Sequence, residues 1–184
     1  SRPMNICVYC SGSDTIDQKY FAVALDLGTR LAQRGDTLVY GGATVGLMGT
    51  IARSVHAGSG RVVGVIPQTL LEREVAYHMA DELIVTVNMR ERKAAMEARS
   101  DAFLALPGGI GTLEEISEIM VSKHLRVLDK PLVLLNTEGF YQPLVALFEH
   151  MRDAQFLKTP DDQLFHLSPN LDEAFGYIDG YKPA

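Results

Sequence analysis

Residues 104–116 read LALPGGIGTLEEI. An apolar run ends at Leu106, a proline follows, and Gly108, Gly109 and Gly111 lead into a segment of helical period that carries paired glutamates. A strand that passes through a glycine-rich turn into a helix is the repeating unit of a parallel α/β sheet. Glycine permits positive φ and lets another molecule approach the main chain, and a helix starting there points its unpaired N–H groups outward. The stretch has the chemistry of an anion cradle. The glutamates fit it only if they face another part of the ligand, because a carboxylate beside an anion repels it.

The same alternation runs along the whole chain. Short β-rich apolar runs at 5–9, 37–40, 62–66, 83–87, 102–106 and 132–135 predict strands, and segments of helical period predict helices at 18–34, 46–57, 89–100, 113–125, 141–154 and 171–177. This order predicts an α/β fold, a Rossmann-like three-layer open parallel sheet with helices on both faces. No linker, low-complexity tract or internal repeat interrupts it, so residues 1–184 are expected to form one domain. In such a sheet the loops after each strand gather with the following helix N-termini at one edge. Four loops, Ser11-Gly12-Ser13, Gly41-Gly42-Ala43-Thr44, Asn88-Met89-Arg90 and residues 107–112, are expected to line one cleft there.

Composition narrows the ligand. A chain of 184 residues with 47% hydrophobic content can bury a core, while a formal charge of −6 argues against nucleic-acid polymers and anionic membranes as partners. A small anion in a locally positive pocket remains compatible with that charge. No run reaches the ~18–20 apolar residues of a membrane span, and residues 1–5 do not resemble a signal peptide, so the chain is expected to be cytoplasmic. Cys7 and Cys10 in CVYC have the spacing of a redox pair but fall in an apolar strand, where positions i and i+3 face opposite sides; a core role is expected. The five histidines show no metal-ligand spacing, and neither a metal nor a cofactor is expected.

Three motifs carry chemistry. GGATVGLMG at 41–49 is either a loop that brings phosphate or ribose to backbone N–H groups or a tight strand-to-helix turn; without G-K-[ST] it is no Walker A loop. In PGGIGTLEE at 107–115, Thr112 and Glu115 have the spacing of a capping box, which would make Glu115 structural. The glycines before them exceed what a cap needs, and an anion on the free N–H groups would release Glu115 for chemistry. In NMRERKAAM at 88–96, Arg90, Arg92 and Lys93 form either a solvated face or part of a site. Cations in a first helical turn oppose the macrodipole, so an anion or a carboxylate across the cleft would offset them. An arginine and a glutamate flanking a phosphate cradle suggest work on a sugar phosphate.

Together, P-G-G-x-G-T-x-x-E at 107–115, M-x-x-R-K at 89–93 and G-G-x-x-G-L-M-G in the 41–49 segment resemble the LONELY GUY family, cytokinin-activating nucleoside 5′-monophosphate phosphoribohydrolases often labelled lysine decarboxylases. The resemblance covers nearly the full chain. It implies hydrolysis of the N-glycosidic bond of an adenosine 5′-monophosphate, N6-modified or not, to free base and ribose 5-phosphate. It implies Arg92 and Glu115 as the catalytic pair, with Glu115 stabilising an oxocarbenium-like sugar or orienting water and Arg92 holding Glu115 ionised. Glu74, Met89, Lys93, Gly108, Gly109, Ile110, Gly111, Thr112, Leu113, Glu114, Gly42 and Ser13 are the implied substrate-binding residues. A homodimer or an assembly of dimers is also implied.

Three positions depart from the family pattern: Arg90 and Tyr77 stand where histidine is common, and Val121 where threonine is common. They leave the catalytic pair intact and bear on which base is accepted. A lysine decarboxylase would need a pyridoxal-binding lysine and a larger enclosing fold. The competing reading of a different class is a carrier that holds a nucleotide or the molybdenum cofactor without cleaving it.

Overall fold

The computed structural model describes residues 3–73 and 75–184. Its elements run β1 (Asn5–Tyr9), α1 (Gln18–Arg34), β2 (Thr37–Tyr40), α2 (Gly46–Ala57), β3 (Arg61–Pro67), α3 (Gln68–Leu71), β4 (Glu82–Thr86), α4 (Met89–Arg99), β5 (Ala102–Ala105), α5 (Ile110–His124), β6 (Leu132–Leu135), α6 (Gln142–Asp153), β7 (His166–Ser168) and α7 (Leu171–Gly180). The strands form one parallel sheet in the order β4-β3-β2-β1-β5-β6-β7.

The chain winds outward from β1 to β4, then returns to the other side of β1 and winds outward again. Strand order therefore reverses between β1 and β5, whose register pairs Tyr9 with Ala105. Two neighbouring strands whose connections leave in opposite directions open a crevice beyond their carboxyl ends. The crevice lies where Cys10–Gly12 and the 107–112 loop emerge.

Strand alternation sorts the core into two halves. Ile6, Val8 and Cys10 pack with α1, α2 and α7, while Cys7 and Tyr9 pack on the opposite face with α4, α5 and α6. The cysteines are thus free, buried and on opposite faces, and burial raises both thiols well above the usual range, which disfavours the reactive thiolate. Caps fix the helix bounds. The Asp17 side chain accepts from the Lys19 N–H at the start of α1, and Gly35 at φ 75° ends it. At α4, Asn88 accepts from the Glu91 N–H while Glu91 accepts from the Val87 N–H.

β7, α3 and two single 3₁₀ turns, Thr137–Gly139 and Asp161–Gln163, lie outside the elements that the sequence predicts. β7 is the three-residue run HLS of mixed polarity at the sheet edge, where period 2 has too few residues to register. α5 begins at Ile110, three residues before the expected start, because helix geometry is reached within the glycine loop itself.

Two glycines of the 41–49 segment are demanded by packing. A Cβ on Gly46, at φ 57°, would lie 2.4 Å from the Gly12 carbonyl carbon, and one on Gly49 would lie 1.9 Å from the Thr44 carbonyl oxygen. Gly49→Ala is expected to cost about 3 kcal/mol by forcing that backbone apart. In urea unfolding the midpoint should fall with an unchanged m-value.

Candidate functional site

The C-terminal end of β1, the loops that follow β1, β2 and β5, and the first turns of α2, α4 and α5 line a cavity of ≈ 320 Å³. That lies at the small end of the roughly 300–1,000 Å³ usual for ligand sites. Met89, Arg92, Lys93, Gly109, Ile110, Gly111, Thr112, Glu114 and Glu115 line it, so the structure gathers α4 and α5 as the sequence expects.

Four expected residues lie off the cavity wall, and Glu74 lies outside the described residues. Gly108 packs under Thr112, where a Cβ would come within 2.2 Å of Oγ1; Gly42, at φ 78°, packs on Ile66. Leu113 is exposed on the outer side of α5, and the Ser13 hydroxyl bonds with Thr15. The wall also contains Ser11, Gly12 and Gly41 from the loops expected to line the cleft, together with Val8, Tyr9, Cys10, Met48 and Met96, for which the sequence predicts no site role. Reading loops after strands locates the right segments, but Ser11 and Gly12 face the cavity in place of Ser13, and Gly41 in place of Gly42. The periodicity that could assign sides ends with the strand.

Arg92 is buried at 6% exposure. Its Nε donates to the Val65 carbonyl at 3.0 Å, one terminal nitrogen donates to the Gly41 carbonyl at 2.5 Å, and the other reaches the Met89 sulfur at 3.6 Å. All three partners are neutral, and no carboxylate of a described residue lies within ion-pair distance. Desolvation lowers its pKa, opposed chiefly by the Glu115 charge.

Glu115 is half-buried and makes no hydrogen bond or ion pair with a described residue. Burial lifts its carboxyl to about 7; Arg92 pulls it down, while Glu114 and Glu118 push it up. Desolvation outweighs the attraction of Arg92, which acts on Glu115 across space. The capping-box reading falls. Gly109 is the N-cap of α5 with no side-chain cap bond, Thr112 is buried in the first turn, and Glu115 is free of the backbone.

Two helix N-termini meet here and differ. At α2, the N–H groups of Leu47 and Met48 donate to the Ser11 carbonyl at 3.0 and 3.3 Å, and Gly46 donates to the Asp14 carboxylate at 2.8 Å. The protein itself supplies the acceptors and the anion, so the 41–49 segment is a strand-to-helix turn rather than an open phosphate loop. At α5 the N–H groups of Ile110, Gly111 and Thr112 donate to no described group. A Cβ on Gly109 or Gly111 would meet nothing within 4 Å, so neither packing nor a positive φ demands glycine there. What glycine leaves open is main-chain access from the cavity, at the positive end of a helix.

The basic residues of α4 separate: Arg90 is exposed, Arg92 is buried, and the Lys93 ammonium meets Glu114 and Glu118 of α5, each at 2.6 Å. Among the described residues no His, Cys, Asp or Glu cluster could hold a metal ion, and no helix is long and apolar enough to cross a membrane.

At the switch point of this open parallel sheet, a helix N-terminus that meets no described acceptor stands beside a buried arginine, an arrangement whose chemistry suits a small anionic ligand. The family model described as "Possible lysine decarboxylase" matches residues 48–178, and the chain belongs to that family. It is 40% identical to the cytokinin riboside 5′-monophosphate phosphoribohydrolase LOG5 of Arabidopsis thaliana, over 100% of this chain and 80% of that protein. It is equally 40% identical to LOG4 of the same plant, over 97% and 83%. Among solved structures it resembles the molybdenum cofactor binding protein of Rippkaea orientalis, with TM-score 0.73 and 23% identity over 97% of this chain and 96% of that one. It also resembles the molybdenum cofactor carrier protein of Chlamydomonas reinhardtii, with TM-score 0.72 and 25% identity over 97% of each.

The Glu115 shift has a thermodynamic sign. Its carboxyl is raised on folding, so the folded chain holds that proton more tightly, and stability is lost as pH rises from the unfolded value near 4.5 through about 7. Glu115→Gln is expected to raise the melting temperature at pH 8, by a gain on the order of 2 kcal/mol after its partial exposure is allowed for, and to leave it unchanged at pH 4. Calorimetry at the two pH values checks this.

Proposed function

We propose that this chain is a single hydrolase domain that cleaves the N-glycosidic bond of adenosine 5′-monophosphates, N6-modified ones included, releasing free base and ribose 5-phosphate. The observation that carries the reading is the convergence of three features on one small cavity: the α5 N–H groups that donate to no described group, the buried Arg92 that meets no carboxylate among the described residues, and the half-buried Glu115. The identity to phosphoribohydrolases across the whole chain supports it.

In this reading the phosphate sits on the N–H groups of Ile110, Gly111 and Thr112, where the helix dipole favours a dianion. The ribose then lies between Arg92 and Glu115. As the C1′–N bond lengthens, positive charge spreads over the ring oxygen and C1′, and the Glu115 carboxylate stabilises it. A water oxygen bonds to C1′, Glu115 takes the water's proton, and the base leaves with the bonding electron pair and takes a proton from solvent, while Glu115 later returns its proton to solvent. Burial of Glu115 raises its basicity and so fits it to receive a proton near neutral pH. Arg92, held by the Gly41 and Val65 carbonyls, keeps its charge facing the ribose or phosphate.

The test follows free base and ribose 5-phosphate by chromatography with AMP and with N6-isopentenyl-AMP. Cleavage of both is expected, faster for the prenylated nucleotide. Turnover should rise with pH to a plateau above about 7, as Glu115 ionises. Glu115→Gln should lower kcat by at least about 100-fold with AMP binding nearly intact. Tight binding with no cleavage by the wild-type chain would instead favour a carrier, the function named for the Rippkaea and Chlamydomonas proteins.

A homodimer also belongs to this proposal. Val121 and Leu125, four residues apart at the end of α5, are exposed on the side away from its buried residues, with Val127 beyond them and Leu113 exposed at its start. A helix apolar on both sides suits burial against a second copy. The methionines divide accordingly: Met96 and Met120 are core, whereas Met79 and Met89 are exposed. Light scattering should give twice the chain mass for the wild type and the monomer mass for Val121→Lys combined with Leu125→Glu.

A further inference from the structure

Arg92 and Glu115 stand on different helices, and their separation decides whether they act on one sugar. α4 and α5 make little backbone contact with each other. Beneath them Met96 of α4 and Ile116 and Met120 of α5 share one apolar cluster, which sets depth but leaves the mouth of the cleft free. Lys93 crosses that mouth. Its ammonium meets Glu114 Oε1 and Glu118 Oε2, each at 2.6 Å, and its side chain is only 13% exposed. Glu114 and Glu118 are four residues apart, so they present adjacent carboxylates on one face of α5, next to the face that carries Glu115.

Lys93 follows Arg92 directly. About 100° of helical rotation sends one side chain down to the β2 and β3 carbonyls and the other sideways to α5. One ammonium held by two carboxylates leaves a local excess of one negative charge, which does not attract a phosphate. The open N–H groups of α5 are the better anion partner. The same carboxylates offset the cost of a cation in the first turn of α4.

We propose, building on the phosphoribohydrolase reading, that Lys93 is a positioning residue: with Glu114 and Glu118 it forms an ionic clamp that fixes α4 against α5 and so sets the Arg92 to Glu115 spacing. Its ammonium is engaged by the protein and does not bind the substrate's phosphate.

The experiment compares wild type, Lys93→Met, Glu118→Gln and the double variant on AMP, with hydrogen–deuterium exchange measured on the same proteins. Glu118 does not line the cavity. The clamp requires kcat to fall about tenfold in Lys93→Met and in the same direction in Glu118→Gln, with the double variant no worse than Lys93→Met and KM within about twofold throughout. It also requires faster exchange at the starts of both α4 and α5 in each variant. A rise in the KM for AMP of about tenfold or more in Lys93→Met, with Glu118→Gln silent, would make Lys93 a phosphate ligand and overturn the clamp. If the wild-type chain cleaves no nucleotide, the phosphoribohydrolase reading falls, and exchange alone judges the clamp: joint loosening of both helices sustains it, and unchanged exchange on α5 overturns it.

Discussion

A guanidinium buried without a carboxylate partner is costly, since desolvating a charge takes several kcal/mol that neutral hydrogen bonds return only in part. Arg92 meets no carboxylate among the described residues and is held by the carbonyls of Gly41, just past β2, and of Val65 in β3. Gly41 is where it is because a Cβ there would sit 1.9 Å from the guanidinium nitrogen. The arginine in turn ties α4 to two strands and leaves a positive charge beside the cavity. The strand ends, the glycine that follows them and the first turn of α4 all answer to this one group.

Glu115 is the counterpart on the other wall. It is close enough to Arg92 for each to shift the other's ionisation, yet the two form no pair. A direct salt bridge would neutralise both and close the space between them. Holding them apart keeps the arginine charged towards the cavity and the carboxyl near neutral pH, the condition in which a carboxylate can exchange a proton with a reacting water. Lys93, Glu114 and Glu118 lie at the rim of this arrangement, where ionic contacts can govern spacing at little desolvation cost.

The two helix N-termini at the cleft show how similar motifs reach different ends. Both α2 and α5 follow glycine-rich turns. At α2 the neighbouring β1 loop folds over and spends a carbonyl and the Asp14 carboxylate on the free N–H groups. At α5 no described group does so, and Gly109 and Gly111 keep the main chain bare. The difference comes from sheet order. β1 lies between β2 and β5, but its outgoing loop turns towards α2, because its crossover runs to the β2 side.

The order of strands and helices was legible in the sequence because each strand is a short apolar run between amphipathic helices, and α1 and α2 match their predicted bounds residue for residue. So were the segments that form the site, since the residues that follow the strands of a parallel sheet converge on one edge. β7 was not legible, being three residues of mixed polarity held by its neighbour β6. Neither was the choice of Gly41 over Gly42, or of Ser11 over Ser13, because loop residues have no period to assign their sides. The local pattern of Thr112 and Glu115 favoured a cap as strongly as a site, and only the earlier start of α5 freed Glu115. Sequence determined which residues could carry the chemistry; tertiary structure decided which N–H groups stayed open and how Arg92, Lys93 and Glu115 are partnered. Burial, ionisation and hydrogen-bond partners are set by contacts between residues distant along the chain, and local pattern does not contain them.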